Sequence, residues 1–199
     1  MCGIVGVVAQ RNATPILIRG LQRLEYRGYD SAGLAIVDAD GALKRLREVG
    51  KVQNLVDAVE RTPVTGGTGI AHTRWATHGK VTADNAHPHL SSCAEADQSV
   101  CLVHNGIIEN HTALRAELQE LGYEFFSQTD SEVIVHLIHY YLSKQPDLLE
   151  AVRQAVRRLE GAYALAVIAS GENERIIAAR HGCPLILGKG IGENFLASD

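Results

Sequence analysis

Two kinds of hydrophobic pattern alternate along this chain. Short runs of apolar and β-branched residues indicate strands, because strands bury consecutive or alternating side chains. These runs predict strands over residues 3–9, 33–37, 44–49, 68–73, 99–104, 162–169 and 175–179, with two shorter strands over residues 185–187 and 195–197.

Leucines that recur every three or four positions indicate amphipathic helices between these strands. Leu17, Leu21 and Leu24 share one face of a first helix, which Asn12 is predicted to cap and which ends before Gly28. Further helices are predicted over residues 52–61, 110–121, 130–143 and 146–159, the second of them with Asn110 as its cap.

The order of these elements predicts an α+β fold. The strands come as hairpins and the helices come partly in pairs, which favours antiparallel sheets with helices packed outside over a doubly wound parallel sheet. No repeat or linker divides the chain, so residues 1–199 are predicted to form one domain. Residues 74–98 are polar with little periodicity, and loops of that length are usually functional or disordered.

Composition excludes several classes of function. The 199 residues carry a formal net charge of −4 and 46% hydrophobic residues, which is ordinary for a globular domain. The acidic balance argues against a nucleic-acid groove or a polybasic membrane surface. No apolar run approaches the roughly 18 residues of a membrane span, and no signal-peptide pattern opens the chain. We therefore expect a cytoplasmic protein with neither a nucleic-acid nor a membrane partner.

Cys2 follows Met1 directly and precedes the apolar run that begins at Gly3. Removal of the initiator Met would leave one residue with both a thiol and a free α-amine, whose ordinary pKa is about 8. The thiolate is the nucleophilic form of cysteine and needs a base to take its proton. Taken alone, Cys2 is more simply a small buried residue that opens a strand.

Four segments that occur in a fixed order are together specific for one protein family. They are residues 2–6 (CGIVG), 27–33 (RGYDSAG), 72–79 (HTRWATHG) and 104–110 (HNGIIEN). Together they resemble the N-terminal-nucleophile (class II) glutamine amidotransferases, and the resemblance runs from Cys2 to Asp199. It implies a four-layer αββα sandwich of antiparallel sheets with outer helices. Tyr29 and the pair Trp75-Ala76 favour the hexosamine branch of that family, which makes glucosamine 6-phosphate, over the phosphoribosyl pyrophosphate branch.

The resemblance implies that Cys2 attacks the side-chain amide of L-glutamine, with its own α-amine as the base. Attack creates an oxyanion, which needs hydrogen-bond donors aimed at its position. Asn105 would donate from its side-chain amide and Gly106 from its backbone N–H, where a glycine lets the backbone approach the reacting carbon. The alternative for this pair is an ordinary Asn-Gly turn after a strand.

Glutamine is a zwitterion, so its pocket needs a cation and an anion. The resemblance assigns the α-carboxylate to Arg74, whose planar fork suits bidentate binding, and the ammonium to Asp130. Arg74 could instead be a surface residue at a strand end, and Asp130 a helix N-cap.

A loop closes over glutamine in this family, and the resemblance places Trp75, Thr77 and His78 on it. An aromatic side chain there can exclude water from the reaction. Trp75 could instead be a plain core or interface residue. Arg27 is implied to line the site near the nucleophile, although a cation near a helix end also offsets the helix dipole.

Neither a metal nor a nucleotide cofactor is expected. His87-Pro88-His89 cannot put both rings on one helical face, and no Cys/His ladder accompanies it. These histidines, like His72, are interpreted as loop and pocket hydrogen-bonding residues, and Cys183 as structural. Residues 188–192 (GKGIG) lack the order of a phosphate-binding loop.

The resemblance also implies an acceptor half that binds fructose 6-phosphate, and residues 1–199 contain no such sugar-isomerase half. We therefore expect a glutaminase domain that is truncated at its C-terminal end and monomeric alone, within a full enzyme that is a homo-oligomer. Alternatives are the phosphoribosyl pyrophosphate type and a catalytically silent glutamine-binding module. Residues 91–99 are interpreted as a surface insertion.

Overall fold

The computed structural model of the chain describes residues 2–76, 79–91 and 98–199. Its strands are β1 (Gly3–Ala9), β2 (Ser31–Val37), β3 (Leu43–Val49), β4 (Thr68–Arg74), β5 (His89–Leu90), β6 (Val100–Ile108), β7 (Gly161–Ala169), β8 (Ile177–His181), β9 (Ile186–Lys189) and β10 (Glu193–Ala197). Its α-helices are α1 (Thr14–Leu24), α2 (Val52–Arg61), α3 (His111–Glu120), α4 (Asp130–Lys144) and α5 (Leu148–Val156), and a 3₁₀ turn over Glu25–Arg27 follows α1.

The strands form two antiparallel sheets. The larger sheet has the order β3-β2-β4-β1-β10-β9, and the smaller sheet has the order β5-β6-β7-β8. Helices α1 and α2 cover the outer face of the larger sheet, while α4 and α5 cover the smaller one. The predicted α+β fold and its four-layer αββα arrangement are confirmed.

The inner faces of the two sheets share one apolar layer. Ile4 and Ile70 of the larger sheet pack with Val103 and Ile168 of the smaller sheet, and all four are fully buried. Burying a side chain of this size contributes roughly 1.5–3 kcal/mol. Because β2 and β7 are covered on both faces, their sequences are almost continuously apolar. Strand β4 is equally buried but carries the polar residues His72, Thr73 and Arg74 at its end.

Strand β6 is longer than predicted. The apolar run indicates a strand that ends at His104, but pairing with β7 continues to the pair Ile108 and Gly161. Asn105 and Gly106 therefore lie inside a strand, and the turn alternative for this pair is wrong. Strand β5 was also missed, because two residues within a polar segment leave no periodic pattern.

The two asparagines predicted as helix caps make no N-cap hydrogen bond with their side chains. Ala13 occupies the N-cap position of α1, and Asn12 Oδ1 instead accepts the Thr14 N–H at 3.2 Å. Asn110 is at the N-cap position of α3, but its side chain makes no cap hydrogen bond and instead donates to Arg158 O at 2.8 Å. None of the helices in the described ranges is long and apolar enough to cross a bilayer.

Candidate active site

A cavity of about 420 Å³ lies where β1, β4 and β6 meet the start of α4. It brings together seven residues that the sequence predicted for the site: Cys2, Arg27, Arg74, Trp75, Asn105, Gly106 and Asp130. Thr77 and His78, which were also predicted for the site, lie outside the described residues. So does Met1, whose removal would free the α-amine of Cys2, and so do residues 92–97 of the predicted insertion.

Cys2 directly precedes β1 and faces the residue that follows β4. Its Sγ accepts the Trp75 N–H at 3.2 Å and lies 3.5 Å from Trp75 O. Burial raises the pKa of the Cys2 thiol, while the Trp75 N–H and the positive charge of Arg74 partly oppose that rise. The thiol is therefore protonated at neutral pH, and a reaction at this sulfur needs a base.

Arg74 ends β4 and is only 4% exposed, so the alternative of a surface arginine is wrong. Its Nη1 lies 3.8 Å from Asp30 Oδ1 and donates to Lys80 O at 3.4 Å. Asp30 also accepts the Ala76 N–H through its other oxygen. One carboxylate thus holds the Arg74 side chain and the backbone that follows it. This role of Asp30 was not predicted, although Asp30 lies in the segment over residues 27–33.

Trp75 stands at the mouth of the cavity with 53% of its surface exposed. Its ring packs directly on Gly28, where an added Cβ would lie 2.7 Å from Trp75 Cζ3. Gly28 also has a φ of +73°, which favours glycine. Arg27, at the end of the 3₁₀ turn, lines the same cavity, and its Nη1 lies 3.6 Å from Asp199 Oδ2.

Asn105 contacts Cys2 across the gap between the sheets. Its Nδ2 donates to Cys2 O at 3.2 Å, and its Oδ1 lies 2.8 Å from His72 Nε2. Gly106 follows with a φ of +124°, and an added Cβ would lie 2.0 Å from Ala162 O of β7. From the sequence, this glycine was expected to let the backbone approach the reacting carbon. In the structure, the close approach of strand β7 and the positive φ also require a glycine here.

Asp130 is the first residue of α4 and is 7% exposed. Its Oδ2 accepts the Ile108 N–H at 2.8 Å. The N-cap of α4 is Thr129, whose side chain accepts the Glu132 N–H, so the N-cap alternative for Asp130 is wrong. Asp130 instead lines the cavity, while its carboxylate accepts the Ile108 N–H.

Buried histidines surround this side of the cavity. Burial lowers the pKa of His72 to about 3. Burial also lowers the pKa of His87, His89 and His104 below the ordinary value for histidine. Their rings are therefore neutral at neutral pH. Among the described residues no three His, Cys, Asp or Glu side chains form a group that could hold a metal ion. Cys183, interpreted as structural from the sequence, also lines the cavity.

Residues 72–199 match the glutamine amidotransferase domain family, which is more than half of the chain. The chain belongs to this family. Over its whole length the amidotransferase domain is 61% identical to the glutamine–fructose-6-phosphate aminotransferase (isomerizing) of Pseudomonas putida and 60% identical to that of Pseudomonas aeruginosa. It spans 32% of the length of each of these relatives.

Two solved structures share the fold of this domain. One is the glutamine phosphoribosylpyrophosphate amidotransferase of B. subtilis, complexed with ADP and GMP, with a TM-score of 0.85 and 29% sequence identity. The match covers 99% of the present chain and 42% of the B. subtilis chain. A class-II glutamine aminotransferase domain protein from Silicibacter pomeroyi, at 18% identity and a TM-score of 0.64, covers 98% of the chain and 88% of its own. The latter supports the fold alone.

The predicted resemblance to the hexosamine branch is confirmed by these identities. Among the three residues that indicated that branch, Trp75 lines the cavity of this amidotransferase domain. Tyr29 has a different role, since its hydroxyl accepts the Val52 N–H at 2.9 Å at the start of α2 and also bonds to Glu25. Tyr29 therefore supports the segment that carries Asp30 from outside the cavity.

Proposed function

We propose that this domain hydrolyses the side-chain amide of L-glutamine to glutamate and ammonia. The observation that carries the proposal is one cavity lined by a thiol, an amide donor, a guanidinium and a carboxylate. Its volume of about 420 Å³ suits a small molecule.

Arg74 and Asp130 provide the charges that an α-amino acid zwitterion requires. The Arg74 guanidinium is buried at the end of β4 and would bind the α-carboxylate as a planar fork. The Asp130 carboxylate, buried at the start of α4, would bind the ammonium. Opposite charges on one cavity favour glutamine over a neutral amide, because each charge of the zwitterion meets a partner out of bulk water.

Cys2 would be the nucleophile once Met1 has been removed. Its α-amine would take the thiol proton, and the sulfur would bond to the amide carbon of glutamine. Asn105 Nδ2 and the Gly106 N–H would stabilise the resulting oxyanion, with Trp75 excluding water at the cavity mouth. The carbon–nitrogen bond then breaks and ammonia leaves with the proton. Water attacks the thioester, which releases glutamate and restores the thiol.

The acceptor of the ammonia would lie outside residues 1–199. Relatives that are 58–61% identical to the chain are glutamine–fructose-6-phosphate aminotransferases, and the chain spans 32% of their length. We propose that this domain delivers ammonia for the amination of fructose 6-phosphate in a longer protein. The lower identity of 29% to the phosphoribosylpyrophosphate enzyme makes that acceptor the second candidate.

Substitution of the nucleophile tests the proposal. Cys2→Ala is expected to lower ammonia release from glutamine by on the order of 10⁴-fold or more, because the covalent step is lost. Cys183→Ala is the matched control, since Cys183 lines the same cavity without a role in the chemistry, and it should retain activity. Mass spectrometry should find Cys2 at the mature N-terminus. Ammonia release that persists in Cys2→Ala would refute the proposal.

A further inference from the structure

His72 makes a hydrogen bond that joins the two sheets beside the cavity. It lies in β4 of the larger sheet and is 1% exposed. Its Nε2 is 2.8 Å from Asn105 Oδ1 in β6 of the smaller sheet. Within the described residues, the Asn105 side chain bonds to this ring and to the Cys2 carbonyl.

The Cys2 carbonyl determines which way the Asn105 amide is turned. A carbonyl oxygen only accepts hydrogen bonds, so the Asn105 atom 3.2 Å from it must be the NH₂ group. Asn105 Oδ1 therefore faces His72, and an amide oxygen also only accepts. It follows that His72 Nε2 carries the proton and donates to Asn105 Oδ1.

This tautomer agrees with the rest of the His72 ring. Burial lowers the pKa of His72 to about 3, so the ring is neutral and carries one proton. With that proton on Nε2, Nδ1 has none, and Nδ1 makes no hydrogen bond within the described residues. An unprotonated nitrogen without a partner costs less than a buried N–H without one, because no donor is left unsatisfied.

The opposite orientation of the amide would be penalised at both ends. A turned amide would set Asn105 Oδ1 against the Cys2 carbonyl, which are two acceptors. Its NH₂ group would either face the His72 Nε2–H, a second donor, or require the proton on Nδ1, which makes no hydrogen bond within the described residues. It would also aim an oxygen lone pair at a developing oxyanion. In the observed orientation one N–H of the amide bonds to Cys2 O and the second remains available to the cavity that Asn105 lines.

The His72 ring is itself held in place by His87. The two rings stack with centroids 4.1 Å apart and an interplanar angle of 20°. His87 Nδ1 accepts the His104 N–H at 3.2 Å, so in the neutral ring His87 Nε2 carries the proton and donates to Ser131 Oγ at 3.2 Å. Both nitrogens of the supporting ring are thus satisfied, which restricts its rotation.

We infer that His72 is a positioning residue for the oxyanion site. Its neutral imidazole donates to Asn105 Oδ1 and so holds the Asn105 NH₂ group toward the reacting carbon. The inference rests on the proposed hydrolysis of glutamine, because it assigns to Asn105 the role of oxyanion donor.

A pair of substitutions of similar size tests the inference. His72→Gln keeps an N–H donor near the position of Nε2 and should retain kcat within about threefold of the wild type. His72→Met has a similar shape without the donor and should lower kcat by at least about tenfold, toward the 10²–10³-fold loss typical of a missing oxyanion donor. KM for glutamine should stay within about twofold in both variants.

The second measurement separates positioning from a general loss of structure. In an Asn105→Ala background, His72→Met should cause no further loss of kcat, because the amide that it positions is absent. His139→Met is the control, since His139 is buried and contacts Tyr123 rather than His87 or Asn105. Its effect on kcat should be the same with and without Asn105. Should His72→Met not fold, His72→Asn, whose amide is too short to reach Asn105, replaces it with the same expectation.

Two results would overturn the inference while the proposed function stands: an active wild type with unchanged kcat in His72→Met, or a loss from His72→Met that is repeated in full on top of Asn105→Ala. A wild-type protein with Cys2 at its mature N-terminus that releases no ammonia from glutamine would instead overturn the proposed function.

Discussion

The cavity has two walls that are built in different ways. The first wall comes from the larger sheet and the turn before β2, and it consists of Cys2, Arg27, Arg74 and Trp75. The second wall comes from β6 and the first turn of α4, and it consists of His104, Asn105, Gly106, Asp130 and Ser131.

Three of the four residues of the first wall lie at or next to a strand end, and both of its arginines face a carboxylate. Cys2 precedes β1, Arg74 ends β4, and Asp30 pairs with Arg74 at 3.8 Å. Trp75 is more than half exposed. Strand ends allow a side chain to reach into the cavity while its backbone stays tied to the sheet.

Residues of the second wall lie within regular structure and are held by hydrogen bonds to neighbouring backbone and side-chain groups. Asp130 accepts the Ile108 N–H at 2.8 Å, and His104 Nδ1 lies 2.8 Å from Ser131 Oγ. Both His104 and Ser131 are almost completely buried. Because these hydrogen bonds fix the orientation of the side chains of the second wall, we expect this wall to tolerate substitution less than the first.

Asn105→Ala should give the largest effect on the second wall. Loss of the amide donor is expected to lower kcat by roughly 10²–10³-fold with KM for glutamine nearly unchanged, because the donor acts on the transition state. Steady-state kinetics measure both constants. Asn110→Ala is the matched control, since Asn110 bonds to Arg158 O and Glu160 N outside the cavity, and it should retain kcat. A large rise in KM in Asn105→Ala would mean that Asn105 binds the substrate instead.

Asp130→Asn tests the charge of the second wall. The substitution keeps the size of the side chain and removes its negative charge, so KM for glutamine should rise roughly 30-fold or more, as when a buried charge loses its partner. Asp147→Asn is the control, because Asp147 caps α5 with hydrogen bonds to Leu149 N and Glu150 N. An unchanged KM in Asp130→Asn would contradict the assigned role.

Arg74→Lys should have a smaller effect on the first wall. Lysine keeps the charge beside Asp30 but loses the planar fork, so we expect KM to rise about tenfold. Arg158→Lys, which weakens the bidentate pair with Glu117 on the surface, should leave KM unchanged. If Arg74→Lys exceeded Asp130→Asn in its effect on KM, the proposed contrast between the walls would be wrong.

Acidification should weaken the support behind the second wall. His72 has an ordinary pKa of 6.5 and a pKa of about 3 in the folded protein, so below pH 6.5 the unfolded chain binds a proton that the folded one does not. The free energy of unfolding should therefore be greatest above pH 6.5 and fall as the pH drops from 6.5 toward 3.

Urea denaturation at pH 8, 6.5 and 5 measures this dependence. Replacement of buried His89 by Gln should make the free energy of unfolding depend less on pH, since burial also lowers the pKa of His89. The same change at exposed His181 should not. Stability that is constant from pH 8 to 5 would show that the buried rings are protonated without cost.

Elements with strong local patterns were predicted closely. The apolar run over residues 3–9 and the helical spacing over residues 52–61 coincide with β1 and α2. The membership of Cys2, Arg74 and Asn105 in one site rested on the order of four motifs, and that of Asp130 rested on the family resemblance, rather than on periodicity. Asp30 was missed because its partners, Arg74 and Ala76, lie more than 40 residues away.

The chain alone decided the kinds of elements, their approximate bounds and the chemical groups available, because these depend on neighbours within a few residues. Tertiary structure decided the extension of β6 through Gly106, which requires β7 as a partner, and the burial of Arg74. It also decided the orientation of Asn105, which depends on His72 from the other sheet and on the Cys2 carbonyl. Contacts of this kind arise from the pairing and stacking of sheets, so no local pattern records them.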